Sequence, residues 1–127
     1  MKLKIKILMI AFIASVAFSG CYKDVLSPGQ DPNAPPQAVS FSGDLQPLFT
    51  ANCALSGCHD GTSHNPDLRA GTSYNSITSK GFVNTLVPAN SILYGVVKSG
   101  EMPPSGALTP ADMQRILDWI RNGAPNN

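Results

Sequence analysis

The sequence predicts an all-α fold, one small domain of three or four helices set behind an export signal and a linker. Apolar residues recur at helical spacing in three separate windows, and no window shows the alternation of a half-buried strand. The stretches between those windows are rich in Gly, Pro, Ser, Thr and Asn, the residues of turns and loops. At 127 residues there is room for a single domain, and no segment repeats another.

The chain opens with Lys2, Lys4 and Lys6, then runs apolar from Ile7 to Ala17 and leaves through Phe18-Ser19-Gly20-Cys21. A basic start, a short apolar stretch and a small-residue exit describe a secretory signal peptide over residues 1–20. A retained membrane helix is the competing reading, but the run falls short of the roughly 20 apolar residues a bilayer needs. Phe18-Ser19-Gly20-Cys21 resembles the lipobox of bacterial lipoproteins, with Phe18 where Leu is usual. That resemblance implies cleavage before Cys21 and lipid on its thiol. The alternative leaves Cys21 as an odd exported thiol, which tends to pair or react. No Asp follows Cys21 directly, which by the same resemblance implies the outer membrane, facing periplasm or cell surface. Two or three acyl chains would hold such a protein stably where one would not.

Residues 21–40 hold four prolines and few apolar side chains, so they are expected to be a linker with nothing to pack. As a flexible coil, about 20 residues span roughly 25 Å. Loss of residues 1–20 leaves Lys23, Arg69, Lys80, Lys98, Arg115 and Arg121 against eight acidic residues, a net charge of about −2. There is no basic stripe and no aromatic platform among Lys or Arg, so nucleic acid is not an expected partner.

The folded region is expected over 41–127, with its elements between Phe41 and Ala124. The first helix covers roughly Gly43 to Asn52, with Leu45, Leu48 and Phe49 on one side. Pro47 fits it only within the first turn. A helical turn is hinted at from Tyr74 to Thr78. The next helix runs from Asn90 or Ser91 to Ser99, carries Ile92, Leu93, Val96 and Val97, and stops at Gly100. The last has Thr109 as N-cap, Pro110 at its first position and Asp112 in its first turn. Met113, Ile116, Leu117 and Ile120 form its apolar stripe, Trp119 flanks it, and Gly123 ends it. A domain this small is marginal for one apolar core and calls for a staple.

Cys53-Ala54-Leu55-Ser56-Gly57-Cys58-His59 is the most informative stretch. Two thiols and an adjacent imidazole in an exported chain resemble the haem-attachment motif, ordinarily C-x-x-C-H. There each thiol adds across a haem vinyl group, and the next histidine is delivered to the iron. Four residues separate the cysteines here; C-x4-C-H variants occur in c-type cytochromes, notably multihaem ones. The added residues must bulge, and Gly57 has the permissive backbone for it. The residues alone leave other readings open. Cys53 and Cys58 could close a short disulfide loop. A zinc site would crowd Cys53, Cys58, His59 and His64 into twelve residues. A redox dithiol would normally be spaced C-x-x-C.

A second element lies far downstream. Glu101-Met102-Pro103-Pro104 falls on a loop between two helices, and its prolines stiffen the backbone that presents Met102. A thioether opposite a histidine raises the potential of a haem iron, which suits electron transfer. Met113 belongs to the apolar stripe of the last helix and reads as core. His64 follows His59 by five residues in a polar loop, too near to reach an opposite face, and is expected to be exposed.

Helix, thiol-imidazole motif, polar loop, helix ending at Gly100, Met-Pro-Pro and a capped helix through Ile116-Leu117-Asp118-Trp119-Ile120-Arg121-Asn122-Gly123-Ala124 together resemble a class I c-type cytochrome domain. The chain is most similar to small monohaem domains of planctomycete type, which also occur in bacterial lipoproteins. The resemblance covers about Phe41 to Ala124. It implies one covalent haem c per chain, bound by Cys53, Cys58, His59 and Met102, with His59 and Met102 as the metal ligands. It implies that the first and last helices pack through Leu45, Phe49, Ile116 and Trp119, and that Pro88, Tyr94 and Leu108 line the haem pocket. It implies electron transfer with redox partner proteins and a membrane reached through the lipid on Cys21, with no catalysis; it leaves the oligomeric state open. Two other functions stand beside it: a peroxidase-like enzyme with an open iron, if Met102 does not bind, and a structural lipoprotein whose Cys53 and Cys58 form a disulfide.

Overall fold

In the computed structural model, which describes residues 34–127, the chain enters its first helical segment at Ser40. Ser40 Oγ accepts from the Gly43 N–H at 3.0 Å, and the Ser40 N–H donates to the Asp44 carboxylate at 2.8 Å, a reciprocal cap. One wide π turn, Phe41–Leu45, follows, with the Leu45 N–H reaching back to Ser40 O at 3.3 Å. The α-helix proper, α1, is Gln46–Asn52, and Pro47 stands in its first turn, where a missing N–H costs nothing. The expected first helix is therefore present in two pieces, and it begins earlier than Gly43.

Helix α2, Ser73–Thr78, fills the hinted turn and is pinned to α1 by the Ser73 hydroxyl, which donates to Gln46 Oε1. A 3₁₀ turn, Pro88–Asn90, leads to α3, Ile92–Lys98. Ser91 stays extended because its hydroxyl is taken by the Asn84 N–H at 2.9 Å, so α3 starts one residue beyond it. Helix α4, Pro110–Arg121, starts as its local chemistry dictates. Thr109 Oγ1 accepts from the Asp112 N–H at 3.2 Å and donates to the Asp112 carboxylate at 2.7 Å. Gly123 at φ 88° turns the chain out of α4, which lets the Ala124 N–H return to Trp119 O at 2.9 Å. No strand occurs among the described residues.

The core joins the first helical segment to α4. Leu45, Phe49, Ile116, Trp119 and Ile120 are all essentially sealed from solvent. Phe41 lies 5.3 Å from Trp119 and 5.2 Å from Tyr74, ring centre to ring centre. The polar tips of both aromatic partners are satisfied: Trp119 Nε1 donates to Pro125 O at 2.9 Å and Tyr74 OH to Ala124 O at 3.0 Å. Each of these large side chains contributes about 1.5–3 kcal/mol by burial, so this contact dominates the stability of a small domain. Ile77 from α2 and Leu93 and Val97 from α3 complete the cluster.

The packed region begins before Phe41. Residues 34–40 lie along α4: Arg121 donates to Ala34 O at 2.8 Å, Asn122 to Gln37 O at 2.7 Å, and the Gln37 N–H to the Asp118 carboxylate at 3.2 Å. Val39 is buried in the core. Phe41 N–H and Ser42 N–H both close on Asn127, each at 2.8 Å. The last seven residues of the expected linker thus belong to the folded unit. The expected signal peptide over 1–20, the lipidation of Cys21 and linker residues 22–33 lie outside the described residues. Among the described residues no helix is long and apolar enough to cross a membrane.

Candidate functional site

Helix α1 hands the chain directly to the site. Cys53 still bonds back into the helix, its N–H to Phe49 O at 2.8 Å. The chain then doubles back. The Cys58 N–H donates to Leu55 O at 2.9 Å, and Gly57 adopts φ 79°, which a residue with a side chain would resist. The His59 N–H returns to Cys53 O at 3.1 Å, closing the widened Cys-to-Cys segment into a compact knot. Further on, the Leu68 N–H donates to His59 O at 2.9 Å.

This folding brings Cys53, Cys58 and His59 onto the wall of one cavity of about 620 Å³. That volume falls within the range of small-molecule and cofactor sites, roughly 300–1,000 Å³. Met102 lines the same cavity, with Pro103 and Pro104 after it. The Met102 N–H donates to Val96 O at 3.0 Å, so the loop that carries it is tied to the end of α3. The remaining wall is largely apolar, with Phe49 and Ile116 from the core, Leu93, Val96 and Val97 from α3, and Leu68; Asn52, His64, Asn65 and Ser105 are its polar members. No Asp, Glu, Lys or Arg side chain is among the lining residues.

The imidazole is held in a defined state. His59 Nδ1 lies 2.9 Å from Pro66 O. A carbonyl oxygen only accepts, so Nδ1 carries the proton, and in the neutral ring Nε2 keeps its lone pair. Cys53 and Cys58 are separate, half-buried thiols. Burial pushes the Cys53 thiol up to about 11, and the nearby Cys58 adds to the shift. Asp60, just outside, is held down at about 2 by hydrogen bonds from Thr62 and from the Gly57 N–H.

The other candidates fall as follows. His64 is exposed at the cavity edge, its ring 6.4 Å from that of His59. Met113 packs on the core and does not line the cavity. Leu108 lines the cavity as expected, but Pro88 and Tyr94 do not. Tyr94 lies on another side of α3, where Lys98 covers its ring at 5.6 Å. Ile92, Leu93, Val96 and Val97 take the places expected of Pro88 and Tyr94, because helical periodicity identifies an apolar face without naming what it covers. Among the described residues no three His, Cys, Asp or Glu side chains converge as metal ligands, so the four-ligand zinc arrangement is not assembled.

Two contributors have no counterpart in the sequence reading. Pro66 acts through a backbone carbonyl, which leaves no residue signature. Asp60 could have been found: Asp60-Gly61-Thr62 is the pattern of an Asx turn, in which a carboxylate binds the backbone two residues on. No family model, curated protein or solved structure matches the chain.

Two thiols, an imidazole with its Nε2 lone pair bare and a thioether therefore share one largely apolar cavity of cofactor size.

Proposed function

We propose that this chain is a membrane-anchored monohaem c-type cytochrome that transfers electrons. The observation that supports it best is the meeting, on one apolar cavity, of Cys53, Cys58 and His59 with Met102, which the sequence separates widely. A bound haem supplies one-electron chemistry between ferrous and ferric iron. The chain's residues do the rest. Cys53 and Cys58 hold the group by two thioethers. His59 offers Nε2, oriented by the Pro66 carbonyl, in the way that an outer hydrogen bond fixes a ligating imidazole. Met102 offers sulfur, which favours the reduced iron and raises the potential. Phe49, Leu93, Val97 and Ile116 keep water from the group.

If both His59 and Met102 held the iron, no coordination position would remain for a substrate, which favours a carrier over an enzyme. Lipid on Cys21 would keep the carrier at a membrane, within reach of redox partner proteins. The test is production in a bacterial host with an active c-type maturation system. Haem stain that survives a denaturing gel, with a mass equal to the lipidated chain from Cys21 plus one haem, is the expected result. A colourless chain with a Cys53–Cys58 disulfide would overturn the proposal in favour of a structural lipoprotein. A holoprotein with high-spin iron in both redox states would favour the open, peroxidase-like site.

A further inference from the structure

The four-residue spacing between Cys53 and Cys58 poses a mechanical problem. Two residues beyond the usual pair must be stored in a turn, yet Cys58 and His59 must emerge at fixed places. Two backbone bonds span the turn, Cys58 N–H to Leu55 O at 2.9 Å and, at its base, His59 N–H to Cys53 O at 3.1 Å. Gly57, at φ 79°, has no side chain to anchor it, and Leu55, Ser56 and Gly57 are exposed. Neither bond holds Ser56 or Gly57 at the tip of the turn, so the tip needs an outside hold.

The hold comes from one carboxylate. Asp60 Oδ2 accepts from the Gly57 N–H at 3.1 Å. Asp60 Oδ1 accepts from the Thr62 N–H at 3.0 Å and the Thr62 hydroxyl at 2.8 Å. One oxygen therefore grips the chain just before Cys58, and the other grips it at Thr62, three residues past His59. Between those grips lie Cys58 and His59, the residues proposed to bond the haem and its iron. We propose that Asp60 is a positioning residue that locks the widened Cys53–Cys58 turn, so that Cys58 and His59 are presented together for attachment. The inference rests on the haem reading, and it assigns a task to a residue that touches neither the cofactor nor the cavity.

The experiment compares wild type with Asp60→Ala, Asp60→Asn and Thr62→Val, as haem-free chains and after maturation. In the matured chains, peptide mass and the α-band of the reduced pyridine adduct count thioether bonds. Asp60→Ala is expected to lower the yield of doubly attached haem roughly ten-fold, the scale of a lost outer-shell contact, and to leave singly attached product at Cys53. Asp60→Asn keeps one accepting oxygen and should fall between, while Thr62→Val keeps the Gly57 grip and should mature nearly as wild type. In the haem-free chains, the Cys53–Cys58 thiol–disulfide equilibrium against glutathione reads the same turn without haem. Freeing Cys58 should shift Asp60→Ala several-fold toward the disulfide.

Wild-type yield of doubly attached haem in Asp60→Ala, with an unchanged thiol equilibrium, would overturn the inference. If Asp60→Ala lost helical circular dichroism, Asp60→Asn would decide, and wild-type behaviour there in both measurements would likewise overturn it. A wild-type chain that takes no haem, yet shows the shifted thiol equilibrium in Asp60→Ala, would sink the haem reading and leave the positioning role standing.

Discussion

His59 Nδ1 and the carbonyl oxygen of Pro66 are 2.9 Å apart, and this contact fixes which nitrogen of the ring is available. Because the oxygen can only accept, the protonated nitrogen faces it. In the haem-free chain with the ring neutral, nitrogen NMR should find Nδ1 protonated and Nε2 bare. An Nε2–H tautomer as the main species would contradict the structure and remove the free lone pair on which the proposed iron binding depends.

Replacing Met102 tests the other end of the cavity. In the proposed haem-loaded chain, Met102→Ala should leave attachment intact, since Cys53 and Cys58 are untouched, but abolish the sulfur-to-iron charge-transfer band. Loss of the thioether should disfavour reduction by about 100-fold, close to 120 mV for one electron. Peroxide turnover should rise as a position on the iron opens. An unchanged potential would mean that Met102 lines the cavity without serving as a donor.

Cys53 offers a kinetic check in the haem-free chain. Its thiol is pushed up to about 11 from an ordinary 9.0, first by burial and then by Cys58. At pH 8 the thiolate is then roughly 100-fold scarcer than in an open thiol, partly offset by its greater nucleophilicity, for a net slowing of about ten-fold. Alkylation timed by peptide mass should show this lag, and denaturant should erase it. The fold favours the neutral thiol, so this contribution to stability is full below pH 9 and is lost as the pH climbs toward 11. Equal rates in the folded and denatured chains would refute the burial of Cys53.

Asp118 is buried and takes three donors: the Gln37 N–H at 3.2 Å, Gln114 Nε2 at 2.9 Å and Arg121 Nη1 at 3.3 Å. Asp118→Ala should cost about 3 kcal/mol in unfolding free energy, because it strands the partly buried Arg121 and releases the backbone at Gln37. Limited proteolysis should then cut within residues 34–40, which the wild-type contacts protect. Urea titration gives the energy, and fragment masses give the site.

Much of the fold could be read because its signals are local. Thr109, Pro110 and Asp112 form the start of α4 within four residues, and observed and expected starts coincide. The all-α class follows from the same periodicity that marks Leu45, Phe49, Ile116 and Ile120 as core. What the sequence hid depends on distant partners. Val39 reads as a stray apolar residue among prolines until Trp119 and Phe41 supply a core for it to enter. Ser91 reads as helical until Asn84 takes its hydroxyl. Within the site, Cys53, Cys58, His59 and Met102 were legible as chemistry, whereas their placement on one cavity was not. That placement depends on backbone bonds such as Met102 to Val96, which no residue type announces.

The strip of chain laid along α4 also sets a leash length. With Ala34 held by Arg121, only residues 22–33 remain between the proposed acylated cysteine and the first fastened residue. Pulled straight, twelve residues reach roughly 40 Å. With the proposed lipid and haem in place, so short a lead would keep the domain within about 40 Å of its own bilayer, and loosening the strip at Asp118 would widen that circle.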